Sequence, residues 1–336
     1  MLRELCLLNG TSGDEKAVRE YIIRKIDGHC EWRVDRLGNL IAEKKGLKKP
    51  KSRIMVAAHM DEVGFIITAI KSDGTLSFSS VGGVDPSVAI GRQVTVGKAG
   101  IVGVIGSPAV HNLTADEKET APKFSGLYID IGAKDRAEAE KLISLGETAY
   151  FRSEYTTLGK NGICSKAIDD RAGCQIMIDM ITSQIPYDVT FVFTVQEEVG
   201  TRGAKTAAFS VAPDFAVVLE TTTAADIPSA DGEKRVCELG KGAVVSYMDR
   251  ATVYDRELYK LAFDIAAKKK IPVQTKTMVA GGNDSGAIHT SGEGVRTLAI
   301  SAPCRYLHSP SCVVDKRDIT ACAKLAEAVI AELGKL

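Results

Sequence analysis

Residues 189–200 read VTFVFTVQEEVG, an apolar run of β-branched and aromatic residues that ends at two adjacent glutamates, Glu197 and Glu198. Such a run predicts a strand buried on both faces, as in a parallel sheet covered by helices. Carboxylates just past the carboxyl end of such a strand lie where open α/β sheets keep their ligand crevices. Taken alone, the stretch fits either a solvated acidic turn or a site for a divalent metal and a general base.

Other apolar runs end in the same manner. Three of them, at residues 54–58, 215–219 and 297–302, lead to residues that can bind metals: His59 with Asp61, Glu220, and His308. In a fifth segment, Asp169 and Asp170 precede a predicted helix. Each feature also has a plain explanation, as a surface turn or as a charged helix start. Together, two histidines and several carboxylates at strand ends match a site for two divalent cations.

Residues 64–160 are rich in β-like segments and lack the alternation of strands and helices predicted for the rest of the chain. Short strand-like pieces alternate there with Gly and Pro turns, which indicates a small barrel or sandwich inserted into the α/β unit. We therefore expect an α/β fold with a central, mixed and mostly parallel sheet flanked by helices. Its catalytic unit comprises residues 1–68 and 162–336, and the inserted β-rich unit comprises residues 69–161. The hairpin at residues 65–80 fits either unit.

The composition of the chain limits the kinds of partner that it can bind. The chain has 336 residues, of which 45% are apolar, and its 43 basic residues balance 43 acidic ones. This balance gives no electrostatic footprint for nucleic acid or for an anionic membrane. The first ten residues are too short and too charged for a signal peptide, and no apolar run is long enough to span a bilayer. The eight cysteines form no CxxC pair, and we expect a cytoplasmic protein.

The N-terminal segment reads LNGTSGDE at residues 8–15 and leads into a predicted helix at residues 15–26. Either Ser12 or Asp14 is a suitable cap for that helix, because both side chains accept hydrogen bonds from free backbone N–H groups.

Six motifs in order, HMDEVG, AIDDRAG, QEEVG, LETTTAADIP, GGNDSG and CRYLHSP, resemble those of the M42 family of metallo-aminopeptidases. The resemblance extends over essentially the whole chain and includes the β-rich insertion. It implies a cytosolic enzyme with two divalent metal ions, Zn²⁺ or Co²⁺, that removes the first residue from peptides with a free N-terminus. It also implies that the insertion is PDZ-like and forms dimers, which assemble into a tetrahedral dodecamer.

The resemblance implies two sets of metal ligands that share one aspartate: His59, Asp169 and Glu220 for one ion, and Asp169, Glu198 and His308 for the other. Glu197 would then be the general base for a water that both ions activate, and Asp61 would orient His59. A cis peptide bond is expected between Asp169 and Asp170. Two positions depart from the common pattern. Glu220 stands where many members have Asp, and Asn283 stands in a Gly-Gly-Thr-Asp type of turn, where it affects only local substrate contacts.

Other functions compete with this one. A deacylase or carboxypeptidase could use a related di-metal scaffold. A retaining glycosidase needs two carboxyl groups about 5–5.5 Å apart on either side of a sugar bond, for which the adjacent Glu197 and Glu198 are poorly placed. A scaffold without activity would have no use for the intact ligand set. The preferred side chain of the first substrate residue and the native metal are left open by the sequence.

Overall fold

A computed structural model describes residues 1–115, 119–228 and 230–336. Within these residues the chain builds an eleven-stranded mixed sheet and a closed six-stranded antiparallel barrel. None of the described helices combines the length and the apolar character that crossing a membrane requires.

The strands of the large sheet are β1 (Glu31–Val34), β2 (Leu40–Lys44), β3 (Ile54–His59), β10 (Thr156–Leu158), β11 (Gly162–Ser165), β12 (Val189–Thr194), β13 (Phe215–Thr223), β14 (Ala243–Val245), β15 (Val273–Thr275), β16 (Arg296–Arg305) and β17 (Cys312–Asp315). The barrel strands are β4 (Gly64–Ile70), β5 (Leu76–Val81), β6 (Gln93–Val96), β7 (Ile101–Gly106), β8 (Tyr128–Asp130) and β9 (Thr148–Phe151). The α-helices are α1 (Leu2–Leu7), α2 (Lys16–Ile26), α3 (Pro86–Ala89), α4 (Arg136–Ala139), α5 (Ile168–Thr182), α6 (Arg202–Val211), α7 (Arg256–Lys269), α8 (Ser285–Ile288) and α9 (Lys316–Leu333).

The centre of the large sheet is parallel. Strands β12, β3, β13 and β16 lie side by side and run in one direction. Antiparallel strands flank them, with β2 next to β12 and β17 next to β16. This arrangement confirms the predicted α/β fold with a mixed central sheet and an inserted β-rich barrel. Because the four central strands are parallel, their carboxyl ends meet at one edge of the sheet.

Both faces of this centre are covered, which explains why its strands have no polar alternation. Along β3, Val56 faces the core formed with α1, α2, α5 and α9, whereas Met55 and Ala57 face the smaller core formed with α6 and α8. Strand β13 repeats the pattern, with Val217 on the first face and Val218 on the second. The period of two directs successive side chains to opposite faces.

The barrel has a separate apolar core. The ring of Phe65 packs edge-to-face on Phe78 and on Phe151, with 5.1 Å between ring centroids in each pair. Strand β4 pairs with β5 and with β9, so the hairpin that fitted either unit belongs to the barrel. Strand β10 pairs with β11 in the large sheet. The barrel strands therefore run from residue 64 to residue 151, and the division at residues 69 and 161 stays a prediction.

A buried ion pair fastens the N-terminal segment to the sheet. Lys166 Nζ donates to both carboxylate oxygens of Glu62, at 2.6 and 2.8 Å, and to the carbonyl of Leu8 at 3.0 Å. Glu62 also accepts a hydrogen bond from the N–H of Gly10 at 3.2 Å. Both charged side chains are almost fully removed from solvent, so each depends on its partner.

We expect Lys166→Met to lower the free energy of unfolding by about 3–5 kcal/mol, because it leaves the Glu62 carboxylate buried without its main counter-charge. Denaturant unfolding of the variant and of the parent measures the difference. The double variant Lys166→Met/Glu62→Gln should recover part of the loss. Equal stabilities for the parent and Lys166→Met would contradict the pairing.

Candidate metal centre

Six of the seven predicted site residues meet at the carboxyl edge of the parallel strands. His59 is the last residue of β3, and Glu220 lies within β13. Glu197 and Glu198 form the turn after β12, and His308 lies in the turn after β16. Asp169 stands in the first, non-helical residues of α5. The topology thus gathers residues from five separate segments, as the strand-end pattern predicted.

Asp169 lies between the two histidines. Its Oδ1 is 3.4 Å from His59 Nε2, and its Oδ2 is 3.5 Å from His308 Nε2. Glu220 Oε1 is 3.5 Å from His59 Nε2, and Glu198 Oε2 is 3.2 Å from His308 Nε2. Each oxygen of one carboxylate therefore faces a different histidine and a different glutamate.

These separations fit metal ligands better than direct hydrogen bonds. A tetrahedral ion with bonds of about 2.0–2.2 Å holds its ligand atoms about 3.3–3.6 Å apart, and the four separations above are close to that range. Asp169 Oδ1 is buried and accepts no hydrogen bond from the described residues. Burying a carboxylate oxygen in this way costs free energy unless the oxygen binds a cation. The residues present therefore fit divalent cations, since groups of three of them offer ligand atoms within 4.8 Å of one another.

The same cluster carries an excess of buried carboxylates. Burial, reinforced by the neighbouring Asp169 carboxylate, raises the pKa of Glu198 to about 7 and that of Glu220 to about 8. Burial alone would lower the pKa of His308, but Asp169 and Glu198 outweigh it and raise that pKa to about 10. The site is thus electronegative, and bound cations would relieve the repulsion among its carboxylates.

Each imidazole is oriented by a backbone carbonyl at its other nitrogen. His59 Nδ1 lies 3.1 Å from the carbonyl oxygen of Asp61, and His308 Nδ1 lies 2.9 Å from that of Gly83. Such contacts leave Nε2 free to face the carboxylates, as is usual for metal-binding histidines. Gly83 belongs to the barrel segment after β5. The paired glycines of the sequence VGGVDP were the available signal for this approach, and sequence reasoning missed it.

The Asp61 carboxylate also contacts the turn beside His59. Its Oδ1 lies 3.6 Å from His59 Nδ1, and that Asp61 orients this imidazole stays a prediction. The carboxylate accepts hydrogen bonds from the backbone N–H groups of Glu197 at 3.0 Å and of Glu198 at 3.1 Å. A third donor, the hydroxyl of Ser12, lies at 2.6 Å. Asp61 therefore fixes the turn that carries both glutamates.

The predicted helix cap at Ser12 or Asp14 is wrong, because both side chains form hydrogen bonds with residues far away in the chain. Ser12 binds Asp61, and Asp14 accepts hydrogen bonds from Thr148 at 3.0 Å and Tyr150 at 2.6 Å in the barrel. Helix α2 starts without a side-chain cap.

The peptide bond between Asp169 and Asp170 is cis, as expected. The turn at Asn283, in contrast, shows contacts that the sequence did not predict. Asn283 is buried, with its amide donating to the Tyr254 hydroxyl at 3.1 Å and its carbonyl oxygen accepting from the Ser285 N–H at 2.8 Å. The side chain that departs from the common turn pattern thus fastens the turn itself.

A cavity of about 470 Å³ opens onto the cluster. It is lined by the metal-centre residues and by largely neutral groups, among them Thr222, Ser246, Met278 and Gly282. Lys276 is the exception, since it places a cation in this lining. The volume suits one or two amino-acid residues rather than a folded chain.

The fold and this site together define a peptide hydrolase of the metallo-aminopeptidase class, and comparisons with known proteins agree. The family model described as M42 glutamyl aminopeptidase matches residues 38–325. A putative aminopeptidase of Acetivibrio thermocellus is 41% identical over 97% of this chain and 96% of its own length. The lysyl aminopeptidase of Pyrococcus furiosus is 33% identical and the glutamyl aminopeptidase of Lactococcus lactis 31%, each over 99% of this chain and 96% of its own length.

Solved structures give the same result. Aminopeptidase APDkam598 from Desulfurococcus kamchatkensis superposes with a TM-score of 0.93 at 35% identity, covering 98% of this chain and 93% of its own. The TET1 peptidase of Pyrococcus horikoshii, which can assemble into a tetrahedron or a large octahedral shell, gives 0.87 at 34% identity over 98% and 97%. The chain belongs to the M42 peptidase family, as its motifs predicted. It is an aminopeptidase of a family that uses divalent metal ions.

Proposed function

We propose that this aminopeptidase works with two divalent cations, Zn²⁺ or Co²⁺, shared by one carboxylate. One ion would be held by His59, Asp169 and Glu220, and the other by Asp169, Glu198 and His308. The observation that carries the proposal is the position of Asp169, whose two oxygens face different histidines at 3.4 and 3.5 Å. When bound, such a pair polarises a carbonyl group and lowers the pKa of water.

Glu197 is the general base in this proposal. Its carboxylate belongs to a group with His59 and Glu198 whose ligand atoms lie within 4.8 Å of one another. Both glutamates leave a turn whose N–H groups are bound to Asp61, so Glu197 is held beside the cluster without being needed in either ligand set. It accepts the proton of the attacking water and passes it to the departing amine.

The carboxylate excess also explains cleavage at the first residue. A substrate's free α-amino group is drawn to the electronegative end of the cavity, and the small cavity leaves little room for residues before it. An N-acylated peptide lacks that group and adds bulk at the same place. The competing deacylase function would need the opposite preference.

A panel of matched substrates tests this function. We expect the metal-loaded protein to hydrolyse aminoacyl p-nitroanilides. It should turn over their N-acetylated counterparts at least about 100-fold more slowly, because a poorly placed substrate loses much of the several kcal/mol of transition-state stabilisation that metal ions supply. A chelator should abolish turnover, and Zn²⁺, Co²⁺ or Mn²⁺ added singly should restore it and identify the working metal. Preferential cleavage of the acetylated series would instead establish a deacylase.

We also propose that the barrel forms dimers, which build a dodecamer. The outward side chains of Val102 and Val104 on β7 are 49% and 43% exposed, and Leu145 beyond α4 is 62% exposed. Exposed apolar side chains on so small a unit are suited to contact with another chain. Light scattering should give a molar mass of twelve copies of the 35.9 kDa chain, and the mass of a monomer would contradict the assembly.

A further inference from the structure

Lys276 is a cation with few partners. It follows β15 and lines the cavity that opens onto the metal centre. Its Nζ donates to the carbonyl oxygen of Ala280 at 2.7 Å. No carboxylate oxygen among the described residues lies within 4.0 Å of it.

A comparison with Lys166 shows what a structural lysine looks like in this fold. Lys166 is buried, and its ammonium group is satisfied by both oxygens of Glu62 and by the carbonyl of Leu8. Lys276 is only half-buried, and among the described residues its ammonium group, which has three N–H donors, binds one carbonyl oxygen, that of Ala280. An ammonium group held in a cavity with unused donors is suited to bind an anionic group of a ligand.

Outside the metal centre, the described lining of the cavity supplies no such anion. Its residues, among them Val236, Ser246 and Met278, are neutral apart from Lys276 itself. Burial lowers the pKa of Lys276, and the more distant carboxylates of Asp249 and Glu220 raise it. Glu220 belongs to the proposed ligand set, and a bound cation would take up its charge. Lys276 and the metal-centre residues line one cavity of about 470 Å³, so a substrate residue bound at the metal centre shares that cavity with the Lys276 ammonium group.

We propose that Lys276 selects peptides whose first residue carries an acidic side chain, glutamate or aspartate. This inference rests on the proposed function, in which the α-amino group of that residue lies at the metal centre. Membership of the family leaves the preference open, because the relatives include both a lysyl and a glutamyl aminopeptidase. In this chain a lysine or arginine side chain in the cavity would meet the Lys276 ammonium group, whereas a carboxylate would pair with it.

Glutamyl, glutaminyl and lysyl p-nitroanilides test the selection, since the first two differ only in the charge of the side chain. We expect kcat/KM of the metal-loaded enzyme to be about 10- to 100-fold higher for the glutamyl than for the glutaminyl substrate, the range of one charged hydrogen bond. Lys276→Met should reduce this ratio to about three-fold or less, chiefly by slowing the glutamyl substrate. Lys276→Glu should turn over the lysyl substrate faster than the glutamyl one.

Lys324→Met is the matched control, because Lys324 is an exposed residue of α9 that does not line the cavity. It should retain the parental ratio. Equal losses on the glutamyl and glutaminyl substrates in Lys276→Met, with bound metal unchanged, would refute the selection and leave the aminopeptidase function intact. Absence of turnover on every aminoacyl substrate would instead refute the proposed function and, with it, the selection.

A second arm separates the side chain from another source of negative charge. Glutaminyl-alanine and its C-terminal amide differ only in the terminal carboxylate of the peptide. If Lys276→Met slows the free acid but not the amide, the lysine binds a peptide C-terminus, and the proposed selection is wrong. We expect the two to be affected alike.

Discussion

Glu197→Gln should bind two metal ions as the parent does and yet lose about 10²- to 10⁴-fold in kcat, the usual contribution of a general base. The amide has the shape of the carboxylate but cannot accept a proton at neutral pH. The turn should stay in place, because Asp61 binds the backbone N–H of residue 197 and not its side chain. Metal analysis and aminoacyl p-nitroanilide kinetics on the same preparation measure both properties.

Glu327→Gln is a suitable control, since Glu327 is an exposed residue of α9. It should match the parent in activity and in metal content. Full activity in Glu197→Gln would remove this residue from the chemistry. Loss of metal together with activity would make Glu197 a ligand rather than the base.

Replacing the shared carboxylate should have a larger effect on metal content than replacing either histidine. We expect Asp169→Ala to lose both ions, while His59→Ala and His308→Ala each retain about one. Substitution of outer partners already weakens metal binding by about 10- to 100-fold, and loss of a direct ligand should exceed that. All three variants should be inactive, because none of them retains the pair of ions.

Bound metal per chain, measured after dialysis at micromolar protein, distinguishes these variants. His29→Ala serves as the control, because His29 is exposed and lies outside the groups of possible metal ligands among the described residues. Two ions in Asp169→Ala would show that the carboxylate does not bridge. One ion in the parent would contradict the two-ion site itself.

The sequence predicts the main features of the fold, and it predicts that the candidate site residues lie close together. Apolar runs without polar alternation predict strands covered on both faces, and β3 and β13 are covered in that way. Residues at the ends of parallel strands must approach one another, so His59, Glu197 and His308 could be expected at one edge.

Strand ends were less predictable. Glu220 was expected just past a strand, but β13 continues to Thr223 because residues 221–223 still pair with β16. Pairing partners far along the chain decide where a strand stops, and a local pattern does not contain them.

The supporting contacts could not be predicted for the same reason. Ser12 and Asp61 are 49 residues apart, and Gly83 and His308 are 225 residues apart. Nothing in a short window distinguishes a serine that caps its own helix from one that reaches a distant carboxylate, since both use the same hydroxyl. A glycine that brings its carbonyl to an imidazole likewise resembles any other turn glycine.

The hydrogen bond between His308 and the carbonyl of Gly83 connects the inserted barrel to the candidate metal centre. If the barrel shifts away from the sheet, the imidazole loses the contact that fixes its rotation, and the cation beside it is held less firmly. Linkage is reciprocal, so occupancy of that cation position must in turn resist the shift. If the barrels join the chains as proposed, we therefore expect loss of metal to loosen the assembly, and loosening of the assembly to weaken metal binding.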